Sequence, residues 1–533
     1  MRRITAALIG AAFASAAPAQ APNPPRLVIV FSIDQFSSDL FDEYRPHFTG
    51  GLKRLSSGVV FRNGYQGQAA TETCPGHSTI MTGALPGRTG IIGNTWVDQS
   101  IARDEKTVYC AEDESVPGTT SAKYSVSPAH LKVPTLGDML KTLSPDSQNV
   151  AVSGKDRAAV MMSGHNADQR WYWDSRHFVT DVKAAPVPRS VPLVNAAVDR
   201  LVAAAEPALQ PPPYCQAKAT PVALPGGQTV GAGRFARTAG DYTQFRRSRS
   251  LDGATLALAA GLIQDMKLGR DQAPDILSIS LSATDYVGHA YGTKGEEMCL
   301  QMFALDREIG DFLRALDAMR IDYTAALTAD HGGADVPERA GDARIDPALL
   351  AGNVGKAVAQ KLALDGPVLL GGPMGDVWLD RRVAAPKRNK ALSEAVRIYR
   401  GHPQVDEVLT KGEIGRLPMP TGAPDRWTLR QRARASFDPE RSGDLIVLLK
   451  PRVTPIEKPS DGFVATHGSP WDYDRRVPIL FWRPGSAAAE RPEAVDTVDI
   501  MPTLAAMIGI AVDSSKVDGK CLAAIPGARC PAR

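Results

Sequence analysis

Leu27-Val28-Ile29-Val30-Phe31-Ser32-Ile33, followed by Asp34, is the stretch on which the fold turns. It is of strand length, mostly apolar and β-branched, and it stops at a carboxylate. Such a run suits a strand buried on both faces, as in a parallel sheet covered by helices. The pattern recurs outward from it: Asn149 to Val152 runs into Gly154-Lys155-Asp156-Arg157, Ile276 to Leu281 leads to Asp285, and Tyr323 to Thr328 ends at Asp330. Val59 to Phe61 and Ile479 to Trp482 read as further strands. Glu296 to Met319 has helical periodicity, with Met302, Leu305, Ile309, Leu313 and Leu316 spaced for one face. Pro75 to Thr82 reads as a helix start, with Thr73 in a capping position and Pro75 in the first turn; Pro502 to Ile508 is a late helix. Strands alternating with helices predict an α/β fold, a mostly parallel central sheet flanked by helices on both faces. Chemistry in such a sheet lies outside the carboxyl ends of its strands, where Asp34, Lys155, Asp285 and Asp330 all stand.

Two stretches depart from this pattern. Residues 185–241 are rich in Pro, Ala and Gly and include Pro211-Pro212-Pro213, and residues 335–438 mix helical segments such as Asn353 to Leu364 with Pro/Gly-rich loops. Both are expected to be insertions into one catalytic domain spanning 20–533, the second forming a cap over the site. The composition, 43% hydrophobic and 22% charged, is that of a soluble globular protein. A net charge of +3, from 61 basic and 58 acidic residues, gives no reason to expect a nucleic-acid or membrane partner. Arg2-Arg3, the small and apolar run Leu8 to Ala14, and Ala17-Pro18-Ala19 together have the order of a secretory signal peptide over residues 1–19. Later apolar runs are only strand-length, so no membrane anchor is expected and the mature chain is placed in the periplasm or outside the cell. Oligomeric state is left open, a monomer included.

Six cysteines (74, 110, 215, 299, 521 and 530) suit an oxidising compartment, and none has C-x-x-C spacing. Cys521 and Cys530 are close enough to close a C-terminal loop, and Cys215 with Cys299 is another possible pair. Without a cysteine motif, any metal must be held by His and Asp. Asp285-x-x-x-His289, Asp330-His331-Gly332-Gly333 and Thr466-His467-Gly468 offer the oxygen and nitrogen donors that suit zinc. Two such ions side by side make a site for in-line phosphoryl transfer.

Thr71-Glu72-Thr73-Cys74-Pro75-Gly76-His77-Ser78, then Thr82-Gly83, then Gly90-Ile91-Ile92-Gly93-Asn94, resembles the nucleophile region of the alkaline phosphatase superfamily in its nucleotide pyrophosphatase/phosphodiesterase-like branch. Asp34, Asp285/His289, Asp330/His331 and His467 fall in that family's order, and Asp499-Ile500-Met501-Pro502-Thr503-Leu504 looks like its late helix start. The resemblance implies that Asp34, Asp330, His331 and the Thr73 oxygen hold one zinc, while Asp285, His289 and His467 hold a second. It implies a phosphothreonine on Thr73, with the Asn94 amide and the Cys74 N–H donating to a phosphate oxygen. His77 is expected to be structural. Asp/His sites of this type also accept manganese or cobalt.

Within the family, Lys155-Asp156-Arg157 resembles the Lys-x-Arg pair of the PafA-like threonine-nucleophile bacterial alkaline phosphatases. A monoester dianion presents three non-bridging oxygens and one more negative charge than a diester. Arg157 suits two of those oxygens as a fork, and Lys155 supplies a point charge. Phosphate monoesters are therefore the expected substrates, with broad tolerance for the leaving group. A phosphodiesterase or nucleotide pyrophosphatase is the alternative within the family, and a non-catalytic phosphate-binding protein the alternative outside it. The Cys-x-Pro-x-Arg signature of sulfatases is absent, since Pro75 follows Cys74 directly.

Overall fold

A computed structural model describes residues 23–372 and 374–531. The expected signal peptide, residues 1–19, lies outside them. The Leu27–Ile33 strand is buried along its whole length inside a ten-stranded sheet. Its alternating side chains feed two cores, as the period of two in a strand requires. Leu27, Ile29, Phe31 and Ile33 pack on one face, Val28 and Val30 on the other. Glu296–Met319 and Ser250–Met266 cover the first face, while Thr73–Thr82, Leu136–Leu143 and Ile500–Ile508 cover the second.

Leu27–Ile33 pairs in parallel with Asp275–Leu281 on one side and Tyr323–Thr328 on the other. Asn149–Ser153 and Gln169–Trp173 continue the parallel array. Ile33 stands opposite Leu281, Ser32 opposite Thr328, and Ser280 opposite Ser153, so these strands end level with one another. That register brings four distant stretches of chain to one edge. The sheet is parallel there and not throughout. The late strand runs Arg476–Trp482 and inserts antiparallel between Tyr323–Thr328 and Val59–Tyr65.

The stretch 185–241 does not stand apart from the core, contrary to its composition. Its Ser190–Ala203 helix buries Val191, Val198 and Val202 in the first core, and Cys215 is bonded to Cys299 on the Glu296–Met319 helix. Three apolar residues at helical spacing make a sufficient stripe, even among Pro and Ala. The stretch 335–438 carries most of a second, four-stranded antiparallel sheet of Leu369–Gly371, Gly375–Leu379, Leu445–Leu449 and Val405–Thr410. Helices Ala351–Leu362 and Ala385–Arg400 give it a hydrophobic core of its own. Leu445–Leu449 lies past residue 438, so this sheet draws on chain beyond the expected insertion.

All six cysteines are bonded. Cys521–Cys530 closes a C-terminal loop, Cys215–Cys299 joins as above, and Cys74–Cys110 is a pairing that no spacing in the sequence suggested. Among the described residues no helix is long and apolar enough to cross a membrane.

Candidate active site

At the level edge of the sheet, Asp34, Asp285 and Asp330 are each buried, and His331 is fully so. Concentrating carboxylates away from water is unfavourable unless cations compensate them. The Lys155 ammonium lies 2.6 Å from both Asp34 Oδ2 and Asp285 Oδ2. Burial opposes its charge, but Asp285 and Asp34 raise its pKa. Burial and the neighbouring Asp285 and Asp330 charges push the Asp34 carboxyl well up. Burial acts likewise on Asp285, yet His289 and Lys155 hold it well below the usual carboxylate range.

Three histidines reach the carboxylates in one manner. His289 Nδ1 faces the Ala465 carbonyl at 2.8 Å, His467 Nδ1 the Thr71 carbonyl at 2.8 Å, and His331 Nδ1 the Gly332 carbonyl at 2.9 Å. A carbonyl only accepts, so each ring carries a proton on Nδ1 and turns its Nε2 to the carboxylates. His289 Nε2 and His467 Nε2 approach Asp285 Oδ1 at 3.3 and 3.4 Å. His331 Nε2 approaches Asp330 Oδ2 at 3.3 Å and Asp34 Oδ1 at 3.4 Å. Burial lowers the His331 pKa to about 3, which keeps that ring neutral. Asp285 raises His467 against the effect of burial, so a cation bound there would compete with a proton.

These donors fit metal. Asp285, His289 and His467 form one group with ligand atoms within 4.8 Å of one another, and Asp34, Asp285 and His331 form another. Asp34 Oδ1 and His331 Nε2 are buried without any hydrogen-bond partner, the condition expected of atoms reserved for a cation. Asp330 stands beside the second group. Its Oδ1 accepts from the backbone N–H of Gln35 at 3.2 Å and of His331 at 3.0 Å, leaving Oδ2 between His331 and His77.

The Thr73–Thr82 helix is buried throughout. It lies so close to Asp330 that a Cβ on Gly76 would stand 2.1 Å from the Asp330 carbonyl oxygen. His77 pins the contact, with Nδ1 2.9 Å from Thr73 O and 3.2 Å from Asp330 Oδ2, and Nε2 3.1 Å from Ser280 Oγ. Thr73 is the first helical residue and not the cap; Glu72 holds the cap position, and no side chain caps the helix end. The Thr73 hydroxyl is thereby free of a capping bond, and Arg157 Nη2 reaches its Oγ1 at 3.4 Å. Burial opposes the charge on Arg157, but Tyr109, Tyr286 and Asp156 raise its pKa.

A second expectation changes in detail. The Cys74 N–H is not turned to the pocket, since it donates to Asn94 Oδ1 at 2.8 Å. Because Oδ1 is thus fixed, the Nδ2 of Asn94 is left on the other edge of the planar amide. The Asn94 N–H is itself bound by Glu72 Oε2 at 2.6 Å. Lys155 also differs from a free phosphate ligand by its two ion pairs, the cheapest compensation for buried carboxylates.

Sequence reasoning missed the supports. Gln35 Nε2 reaches Asp285 Oδ1 at 3.4 Å from a backbone at φ 64°. Asp156, between Lys155 and Arg157, is fixed by the hydroxyls of Tyr109 at 2.8 Å and Tyr124 at 2.7 Å. Only its place inside the Lys-x-Arg motif marked Asp156, and nothing marked Gln35 or the two tyrosines. A cavity of about 610 Å³ opens beside the cluster, lined by Asn94, Arg157, His289 and His467 and, at the second sheet, by Met374 and Trp378.

Residues 28–470 match the family described as type I phosphodiesterase / nucleotide pyrophosphatase. The chain belongs to this family. Within it, the chain is 51% identical over 518 residues to alkaline phosphatase PhoK of Sphingomonas sp, covering 95% of this chain and 92% of that one. It is 28% identical over 561 residues to alkaline phosphatase PafA of Elizabethkingia meningoseptica, covering 98% of each chain. The crystal structure of wild-type PafA superposes with a TM-score of 0.81 at 26% identity, covering 95% of this chain and all of that one.

Proposed function

We propose that the chain is an exported, metal-dependent alkaline phosphatase that hydrolyses phosphate monoesters through a phosphothreonine on Thr73. The observation that carries this reading is a buried hydroxyl, freed from capping, with Arg157 Nη2 at 3.4 Å. The names of the relatives PhoK and PafA point the same way. Asp285, His289 and His467 would hold one zinc ion, and Asp34, Asp330 and His331, with Thr73 Oγ1, a second. Such ions make a hydroxyl acidic and neutralise charge building on a departing oxygen.

The residues of the chain do the rest. Thr73 Oγ1, its proton released to solvent, attacks phosphorus in line; the new O–P bond forms as the bond to the leaving oxygen breaks, and that oxygen takes up a proton from solvent. Arg157 offers its fork to two non-bridging oxygens, and Asn94 Nδ2 donates to a third position. Lys155, paired here with Asp34 and Asp285, would turn its charge to a dianion once bound cations take over those carboxylates. Attack by water on the phosphothreonine then releases inorganic phosphate and restores the hydroxyl. The three disulfides favour an oxidising compartment, in keeping with export to the periplasm or beyond.

The test compares kcat/KM for an aryl phosphate and the corresponding bis-aryl diester. The monoester should be preferred. Replacing Lys155 and Arg157 by Ala should cost it on the order of 1.5–3 kcal/mol per contact, and the diester much less. A native preference for the diester would instead establish a phosphodiesterase.

A further inference from the structure

Phe463 is the aromatic residue among the large hydrophobic side chains that the described chain leaves exposed, at 42%. Its ring lies over the imidazole of His289, with centroids 4.8 Å apart and planes inclined by 35°. The exposure is not loose-loop chance. Ser460 and Phe463 exchange backbone hydrogen bonds at 3.2 and 3.0 Å. The turn needs Gly462, at φ 71°, where a Cβ would stand 2.0 Å from the Arg247 guanidinium. Arg247 grips the neighbouring residue, donating to Asp461 Oδ2 at 2.8 Å and Asp461 O at 3.2 Å. Beyond the ring, Val464 N–H and Ala465 N–H donate to the His289 carbonyl at 2.8 and 3.2 Å. A phenyl ring held this firmly toward water forgoes its burial, and it does so at the wall of the 610 Å³ cavity that Met374 and Trp378 also line.

We infer that Phe463 is a stacking platform for a planar aromatic leaving group, so that aryl phosphates and aromatic nucleoside monophosphates are selected over alkyl ones. The inference rests on the phosphomonoesterase reading, since the ring covers His289, a member of the Asp285, His289, His467 group. The cavity is of the size that holds small organic ligands, and offset stacking of aromatic rings supplies selectivity without a hydrogen-bond code.

The experiment measures KM and kcat of the metal-loaded full chain for phenyl phosphate, adenosine 5′-monophosphate and glycerol 3-phosphate. It is repeated with Phe463→Ala, Phe463→Leu and Phe463→Trp. Inhibition by phenylphosphonate and methylphosphonate gives a binding readout apart from turnover. Phe463→Ala and Phe463→Leu should raise KM for an aromatic ester and the inhibition constant of phenylphosphonate about three- to tenfold. Glycerol 3-phosphate and methylphosphonate should move by less than about twofold, and Phe463→Trp should restore aromatic preference. A shift for phenyl phosphate alone places the ring at the ester oxygen, and one for the nucleotide alone places a base there; both support the platform. Equal losses on all substrates would mean that Phe463 only steadies His289, and unchanged constants that it touches nothing; either overturns the inference. Failure of the unsubstituted chain to hydrolyse any of the three would instead overturn the phosphatase reading.

Discussion

At the scale of single residues, the site is governed by what each buried polar atom is left to do. Thr73 is spared a capping role and meets Arg157. Thr73→Ala should lower kcat at least about a thousandfold and abolish the phosphorylated protein seen by mass spectrometry. Zinc content should stay near that of the unsubstituted chain, because Asp and His donors supply most of both candidate groups. Metal-free chain should recover turnover on adding zinc, and zinc affinity should rise with pH as His467 gives up its proton. Isothermal titration at several pH values checks this, and an affinity that falls as pH rises would contradict it. The candidate donors were legible in the sequence because Asp-x-x-x-His and Asp-His each follow a strand. The aim of Asn94 was not, because its partner, the Cys74 N–H, lies twenty positions away with no pattern to join them.

At the scale of elements, the Thr73–Thr82 helix is fixed at its first turn. Gly76 lies on Asp330, His77 bridges Thr73 and Asp330, and Cys74–Cys110 ties the helix to the Thr95–Val97/Thr107–Tyr109 hairpin. The Cys110 N–H donates to the Asn94 carbonyl at 3.0 Å, so the bonded pair brackets Asn94 from both sides. Replacing Cys74 and Cys110 together by Ala should destabilise the fold by about 2–4 kcal/mol in thermal or urea unfolding. Turnover should fall as well, through Asn94. An unaltered kcat/KM with lowered stability would show that the disulfide braces the fold without positioning that amide. Helix and strand limits were legible wherever burial imposed a strict period, as for Glu296–Met319 and Tyr323–Thr328. The Ser190–Ala203 helix escaped notice because few large apolar residues carry its buried stripe.

At the scale of the molecule, one face of the sheet conceals a pair of acids that links stability to pH. Asp252 accepts from the Ala283 N–H at 2.9 Å and from Gln301 Nε2 at 3.0 Å. Burial raises its pKa to about 7. Burial and the Asp252 charge raise Glu308 to about 8. Both values exceed those of the unfolded chain, so the folded state retains protons that the unfolded state has released. The stabilisation is complete below the unfolded values, near about 4. It is lost as pH climbs through about 7 and about 8, with a slope of at most about 1.4 kcal/mol per pH unit for each group. Asp252→Asn and Glu308→Gln should flatten that decline, leaving the variants relatively more stable above pH about 8. Gln301 Oε1, buried without a partner, is available to accept from the new amide. Thermal melts between acid and alkaline pH check the sign.

The sequence alone determined the strands and the helices of strong period, and it supplied the candidate Asp and His donors and the Lys-x-Arg pair, since each is a local pattern set by burial or by neighbours in the chain. Tertiary structure decided the rest: the antiparallel insertion of Arg476–Trp482, the Cys74–Cys110 bond, the orientation of Asn94, and the ring of Phe463 above His289. These depend on which distant segments meet and at what angle, and contacts across space leave no period along the chain.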